Sequence, residues 1–256
     1  MGETGRYLYA ITRGVEASDL AGPGLDGGAL AAVEHRGLLA VVSEVDLESY
    51  GEEGLRRNLE DLGWLERVAR GHDAVVQQVA ALGPTAPLRL ATICLDDDGV
   101  RARLDEWYDG LQAALDRVEG RHEWSVKAFA PVEQKTAAPA DTPATGESGA
   151  GAAYLRRKRS ETVQRHSAHE QSLAAGEHVH AALSARSVAS RRLQPQDPRL
   201  TGHEGTMVLN GAYLVPESDA DAFTTEIERL TAEQPDLRLQ VGGPWPPYSF
   251  ATLETS

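Results

Sequence analysis

Leu88-Arg89-Leu90-Ala91-Thr92-Ile93-Cys94-Leu95, followed at once by Asp96-Asp97-Asp98, decides the class of fold. The first eight residues are mostly apolar or β-branched, which predicts a buried strand. The three aspartates supply N-cap candidates and the negative charge that a helix start favours. Upstream, Leu55, Leu59, Leu62, Leu65, Val68, His72, Val75, Val79 and Leu82 recur at three- and four-residue steps. That spacing predicts one long amphipathic helix, stopped at Gly83-Pro84. Downstream, Val100, Leu104, Trp107, Leu111, Leu115 and Val118 make a second stripe, ended by Gly120. A strand between two one-faced helices requires a sheet with helices packed on it, an α+β layer.

Further out, Tyr7-Leu8-Tyr9-Ala10-Ile11-Thr12 and Leu38-Leu39-Ala40-Val41-Val42 read as strands buried on both faces. Trp124, Val126 and Ala128 alternate with Glu123, Ser125 and Lys127, a strand with one wet face. The order strand, strand, helix, strand, helix, strand predicts an N-terminal ferredoxin-like α+β sandwich over residues 1–131. Residues 132–153 are rich in Ala, Thr, Pro and Gly and poor in bulky apolar side chains, so they read as a low-complexity linker. Residues 154–256 read as a smaller C-terminal α+β domain: a long helix from Tyr154 to about Leu193, a strand at Met207–Val215, a helix around Phe223, Ile227 and Leu230, and a last strand carrying Leu237, Leu239 and Val241. Ser218 and Asp221 approximate a capping box for that second helix.

With 256 residues the chain has room for two modest cores. Its net charge of −14 argues against nucleic acid and against anionic membrane surfaces, since both need a basic face. A single cysteine, Cys94, excludes an internal disulfide and a thiolate zinc cluster. No apolar run is long enough to cross a bilayer, and a cytoplasmic location is the expectation.

The last strand leads into Gly242-Gly243-Pro244-Trp245-Pro246-Pro247-Tyr248-Ser249-Phe250. Two glycines turn freely, three prolines fix φ, and residues before proline avoid the α region, so the run is extended or turned. It gathers three rings in a chain with 5% aromatic residues. It reads as a rigid aromatic clasp that docks on the preceding domain or presents Trp245, Pro246, Tyr248 and Phe250 to a partner. Arg156-Arg157-Lys158-Arg159 is the one basic run. It stands at a helix start, where cations are mildly unfavourable, so Arg156, Arg157 and Arg159 are candidate contacts for an acidic partner as well as a solvated turn.

Catalytic templates are missing: GxSxG and P-loop patterns do not occur, and Cys94 lies in a predicted buried strand. The glycines of Gly22-Pro23-Gly24 read as a turn and not a phosphate cradle, because no Lys-Ser/Thr follows. No catalytic residue and no cofactor is expected. His166, His169, Glu170, Glu177, His178 and His180 lie within a few turns of the long helix. Histidines three apart can share a metal, but HExxH spacing is absent, so a metal- or small-ligand-binding helix is the alternative reading and solvated polar positions the plain one.

Several stretches together resemble the GvpL/GvpF family of gas vesicle proteins. They are Tyr7-Leu8-Tyr9-Ala10, His72-Asp73-Ala74-Val75-Val76, Pro87-Leu88-Arg89-Leu90-Ala91-Thr92, Gly151-Ala152-Ala153-Tyr154-Leu155-Arg156-Arg157, Met207 to Val215, and Gly243-Pro244-Trp245-Pro246-Pro247-Tyr248-Ser249-Phe250. Leu90 and Ala91 depart from the family's usual Phe and Gly. The resemblance implies two α+β domains, the N-terminal one ferredoxin-like. It implies a non-enzymatic accessory role in assembling gas vesicles, associated with the hydrophobic shell protein GvpA and with other Gvp accessory proteins. A soluble acidic partner would keep a shell subunit of that kind from aggregating.

Overall fold

The computed structural model describes residues 2–131, 150–195 and 205–251, with the side chains of residues 150–155, 157 and 161 outside that description. The chain forms two compact units, residues 1–123 with 243–256, and residues 124–242. The expected division at 131 and 154 runs differently: residues 124–131 group with the second unit and 243–256 with the first. Of the expected linker, 132–149 lie outside the described residues, and 150–153 already belong to the long helix.

In the first unit, strands β1 (Thr4–Thr12), β2 (Leu30–His35) and β3 (Leu38–Asp46) precede any α-helix. Then come α1 (Leu47–Tyr50), α2 (Glu52–Asn58), α3 (Leu62–Ala80), β4 (Thr85–Cys94), α4 (Asp97–Glu106) and α5 (Tyr108–Val118). The sheet order is β2-β3-β1-β4, with antiparallel neighbours throughout. Strand β2 is absent from the sequence reading. Its Leu-Ala-Ala-Val-Glu-His run has weak β-propensity. It is held by a two-residue hairpin in which Arg36 (φ 50°) and Gly37 (φ 80°) both take positive φ, the geometry that suits strand twist.

The long helical stripe is real only in its middle. Asp61 caps α3 by accepting from the Gly63 and Trp64 amides at 2.8 and 3.2 Å. Val68, His72, Val75, Val76 and Val79 are its buried face, while Leu59, Leu62 and Leu82 beyond the core are exposed. Likewise Asp96 caps α4 through the Gly99 amide at 2.7 Å. The second stripe is split at Trp107, whose φ and ψ of −99° and 4° separate α4 from α5. The core gathers Tyr7, Tyr9, Leu39, Val41 and Tyr50 from the strands and α1 against Val68, Val75 and Val76 of α3.

Strand β4 is less buried than its composition suggests, with Cys94 half-buried and Leu95 exposed. It is an edge strand, and it is bulged. Leu8 pairs with Thr92 but Ala10 pairs with Pro87, so Leu88 to Ala91 stand opposite Tyr9 alone. Inside that bulge Ala91 has φ 62°, a conformation that a Cβ disfavours.

The second unit contains most of β5 (Arg121–Ala130), α6 (Ala150–Ser184), β6 (Ala189–Arg192), β7 (Thr206–Pro216), α7 (Ala220–Glu233) and most of β8 (Arg238–Trp245). Its sheet order is β6-β7-β5-β8. Val126, Ala128 and Tyr213 pack with Val179 and Leu183 of α6 and with Phe223 and Leu230 of α7. The helix expected to reach Leu193 ends at Ser184, and the chain returns as β6 along β7. A short 3-10 turn at Glu217–Asp219 precedes α7, and Ser218 Oγ donates to Asp219 in place of the expected box with Asp221. Glu123, expected on the wet face of β5, is 8% exposed. Its carboxylate accepts from both the amide and the hydroxyl of Ser249.

Candidate docking site

The proline-aromatic segment is seated on the first unit, to which it belongs. Its backbone closes on itself: the Tyr248 amide donates to the Pro246 carbonyl at 2.8 Å, and the Phe250 and Ala251 amides donate to that of Pro247 at 3.1 and 2.9 Å. Proline fixes φ and offers no amide of its own, so this short turn needs little further ordering. Pro246, Pro247, Phe250 and Ala251 are buried, and Phe250 is only 2% exposed. Burying such a ring is worth roughly 2–3 kcal/mol.

Polar contacts then fix the segment in register. Ser249 donates from its amide and its hydroxyl to the two Glu123 oxygens at 2.7 and 2.6 Å. Arg117, near the end of α5, donates to the Phe250 carbonyl at 3.0 Å. The Tyr248 hydroxyl donates to Asp73 Oδ1 on α3 at 3.0 Å. Burial and the Asp73 charge both push the Tyr248 phenol pKa up, so it keeps its proton and donates.

Beneath this contact lies a polar seam in the core. The Ala91 amide donates to the Tyr7 hydroxyl oxygen at 3.1 Å, and that hydroxyl meets His72 Nδ1 at 3.0 Å. Which of the two gives the proton is set by the imidazole tautomer, since the Tyr7 hydroxyl can both donate and accept. His72 is 4% exposed, and its Nε2 has no partner in hydrogen-bonding geometry. Burial pushes its pKa down to about 4, with the Leu88 backbone and the Asp73 charge opposing only in part. The ring is therefore neutral at pH 7.

Two further tyrosines do the same work with loops. Tyr9 accepts from the Leu25 amide at 2.7 Å and meets Ser43 Oγ at 2.7 Å. Tyr50 donates to Asp26, itself at φ 52°, at 2.9 Å. Burial pushes the pKa of Tyr7, Tyr9 and Tyr50 up, so all three stay protonated.

Between α3, the β4 bulge and Tyr248 lies an open pocket of about 370 Å³. Ala69, Pro87, Leu88 and Leu90 supply apolar wall, and His72, Asp73, Arg89 and Tyr248 complete it. Three stretches widely separated in the chain meet here: the middle of α3, the β4 bulge and the C-terminal segment.

The sequence-selected residues divide accordingly. Trp245 and Tyr248 stand outward, 45% and 37% exposed, whereas Pro246 and Phe250 face in. Arg156 and Arg159 are exposed on α6 in the second unit, and the side chain of Arg157 lies outside the described residues. The histidines of α6 have separate neighbours: His166 with Glu170 at 3.3 Å, His178 with Glu233 at 3.8 Å, and His180 Nδ1 with the Tyr213 hydroxyl at 2.9 Å. Among the described residues no three His, Cys, Asp or Glu side chains converge as metal ligands. Asp73, Arg117 and Glu123 were missed. No local signal marks them, because their partners lie more than a hundred residues away.

A two-unit α+β protein with two four-stranded antiparallel sheets, a proline-braced aromatic segment and no helix long and apolar enough to cross a membrane among the described residues is the class defined so far. The profile of a family described as "Gas vesicle synthesis protein GvpL/GvpF" matches residues 5–252, and the chain belongs to that family. It is 37% identical over 252 residues to gas vesicle protein L of Streptomyces sp. (strain CB03234), covering 97% of this chain and 93% of that one. It is 31% identical over 205 residues to gas vesicle protein F of the same organism, covering 75% and 80%. The crystal structure of GvpF from Anabaena sp. PCC7120 superposes with a TM-score of 0.68 at 21% identity, over 98% of each chain, and shows the same fold. Membership implies a role in gas vesicle assembly, and the family is not a known enzyme family.

Proposed function

We propose that this protein is a non-catalytic accessory factor that binds the hydrophobic shell protein GvpA, together with other Gvp accessory proteins, during nucleation of the gas vesicle shell. It would act in the cytoplasm, in association with the vesicles. The observation that carries this reading is the two-sided C-terminal segment. Phe250 and the buried prolines anchor it, while Trp245 and Tyr248 stand exposed on a frame already ordered. Large rings held rigid at a surface gain contact area on binding at little entropic cost, which is why such residues dominate interfaces. Arg156, Arg157 and Arg159 are proposed as a second, electrostatic contact for an acidic accessory partner.

The ferredoxin-like plan expected for the first half is better supported in the second unit. Its elements follow the order strand, helix, strand, strand, helix, strand, and its last strand borders its first.

Co-purification of the shell protein with the wild type and with Trp245→Ala plus Tyr248→Ala tests the function. The wild type is expected to retain the shell protein and the double variant to lose most of it, both keeping the same circular dichroism spectrum. Equal retention by both would move the interface elsewhere. Failure of the wild type to bind, with vesicles still forming when the gene is deleted, would overturn the reading.

A further inference from the structure

Two charged side chains line the pocket beside Tyr248, Asp73 and Arg89, and of the two it is Arg89 whose hydrogen-bonding groups are open to a ligand. Asp73 is on its wall, but both carboxylate oxygens are engaged, Oδ1 by the Tyr248 hydroxyl at 3.0 Å and Oδ2 by Gln77 Nε2 at 2.6 Å. His72 is neutral at pH 7. Arg89 is exposed, and among the described residues its guanidinium makes no ion pair and no side-chain hydrogen bond. Elsewhere in this unit Arg6, Arg13, Arg36, Arg56, Arg70 and Arg101 pair with carboxylates, and Arg57, Arg117 and Arg121 donate to backbone carbonyls. Beside this cation lie the apolar walls of Ala69, Pro87, Leu88 and Leu90, around a space of about 370 Å³ that is wide enough for one aliphatic side chain.

The bulge accounts for this combination. Had β4 continued in register with β1, Leu88 to Ala91 would pair along the strand. Instead the four residues loop out, held by the Tyr7 contact to the Ala91 amide and by the Thr92 hydroxyl donating to the Arg89 carbonyl at 2.8 Å. Bulges re-aim side chains in this way beside sites of function, and Ala91 bears the backbone cost at φ 62°.

We propose that this pocket is a socket for a partner protein's peptide segment in which an aliphatic side chain stands next to a carboxylate, the aliphatic group entering between Ala69 and Leu90 and the carboxylate meeting Arg89. Tyr248 forms one wall, so the socket and the exposed rings of the C-terminal segment are one continuous recognition surface. The inference rests on reading that segment as the partner-facing side, and it adds the side-chain chemistry of the partner.

The test is titration of the full-length, ¹⁵N-labelled protein with the blocked dipeptides acetyl-Leu-Glu-amide, acetyl-Leu-Gln-amide and acetyl-Leu-Lys-amide, followed by amide chemical shifts. The Glu peptide is expected to move the Ala69, Arg89 and Leu90 signals with a dissociation constant of about 1 mM. The Gln peptide should bind about threefold to tenfold more weakly and the Lys peptide weaker still. Arg89→Gln should abolish the preference for Glu over Gln while keeping the weaker binding, and Ala69→Trp, at an exposed helix position, should fill the socket and abolish both. Equal shifts from all three peptides, shifts elsewhere on the surface, or no shifts up to about 10 mM would overturn the socket. If the peptides bind as stated but shell protein does not co-purify, the partner's identity falls and the socket stands. If the shell protein co-purifies equally well with Ala69→Trp and the peptides do not bind, the socket falls and the accessory role stands.

Discussion

Tyr248 and Asp73 are 175 residues apart in the chain and 3.0 Å apart in space, the phenol donating to the carboxylate. The bond ties the end of the chain to the middle of α3, and Gln77 holds the other carboxylate oxygen. Removing only the hydroxyl, by Tyr248→Phe, is expected to lower stability by about 1 kcal/mol, since the partner is charged but the site is partly open to water. A urea midpoint shift of that size, with an unchanged m-value, checks it. No shift would mean that solvent replaces the bond at no cost.

Glu123 is a stronger anchor. It is 8% exposed and accepts both bonds from Ser249. Glu123→Ala leaves a partly buried amide without its acceptor, at a cost of about 2–3 kcal/mol. Limited proteolysis should then cut the variant near Trp245 well before the rest of the chain. The wild type should resist cleavage there until it unfolds globally.

Ala91 carries a local strain that a single substitution relieves. At φ 62° its Cβ is unfavourable by about 1–2 kcal/mol, whereas glycine takes this conformation freely but brings more entropy to the unfolded chain. The net expectation for Ala91→Gly is a gain of about 0.5–1 kcal/mol, read as a higher melting temperature.

His72 links stability to pH. Its folded pKa is depressed to about 4 against 6.5 for the free side chain, because burial disfavours the imidazolium. The unfolded chain therefore binds the proton more readily. Stability is undiminished above pH 6.5 and falls as pH drops from 6.5 toward about 4, by at most roughly 3 kcal/mol. His180 is shifted in the same direction by burial and by the Arg192 charge. Urea unfolding at stepped pH should show a smaller loss in His72→Gln than in the wild type over this range. Parallel curves would place the pH dependence elsewhere.

Element type was largely legible. The inner face of α3, the Asp96 helix start, and the strands at β1, β3, β4 and β7 follow from periodicity and capping, which are local properties. The stripe from Leu55, by contrast, hides the separate start of α3 at Asp61. The departures have local causes too. Ala-rich β2 lacks propensity, and the apolar stripe of α3 outruns the core that would cover Leu59, Leu62 and Leu82. Strand β5 was legible as a strand and not as a member of the second sheet, because alternation tells which side chains share a face and not which sheet receives the strand.

The sequence by itself determined that the C-terminal run is stiff and non-helical, that it concentrates rings, and that nothing near it forms a catalytic template. Only the tertiary structure decided where the run lies and which rings remain outside. Phe250 turns in and Trp245 out because Asp73, Arg117 and Glu123 are brought beside the segment by packing of α3 and α5 and by the course of β5. Those contacts join residues more than a hundred positions apart. Such pairings depend on chain topology and strand register, which local propensity does not encode.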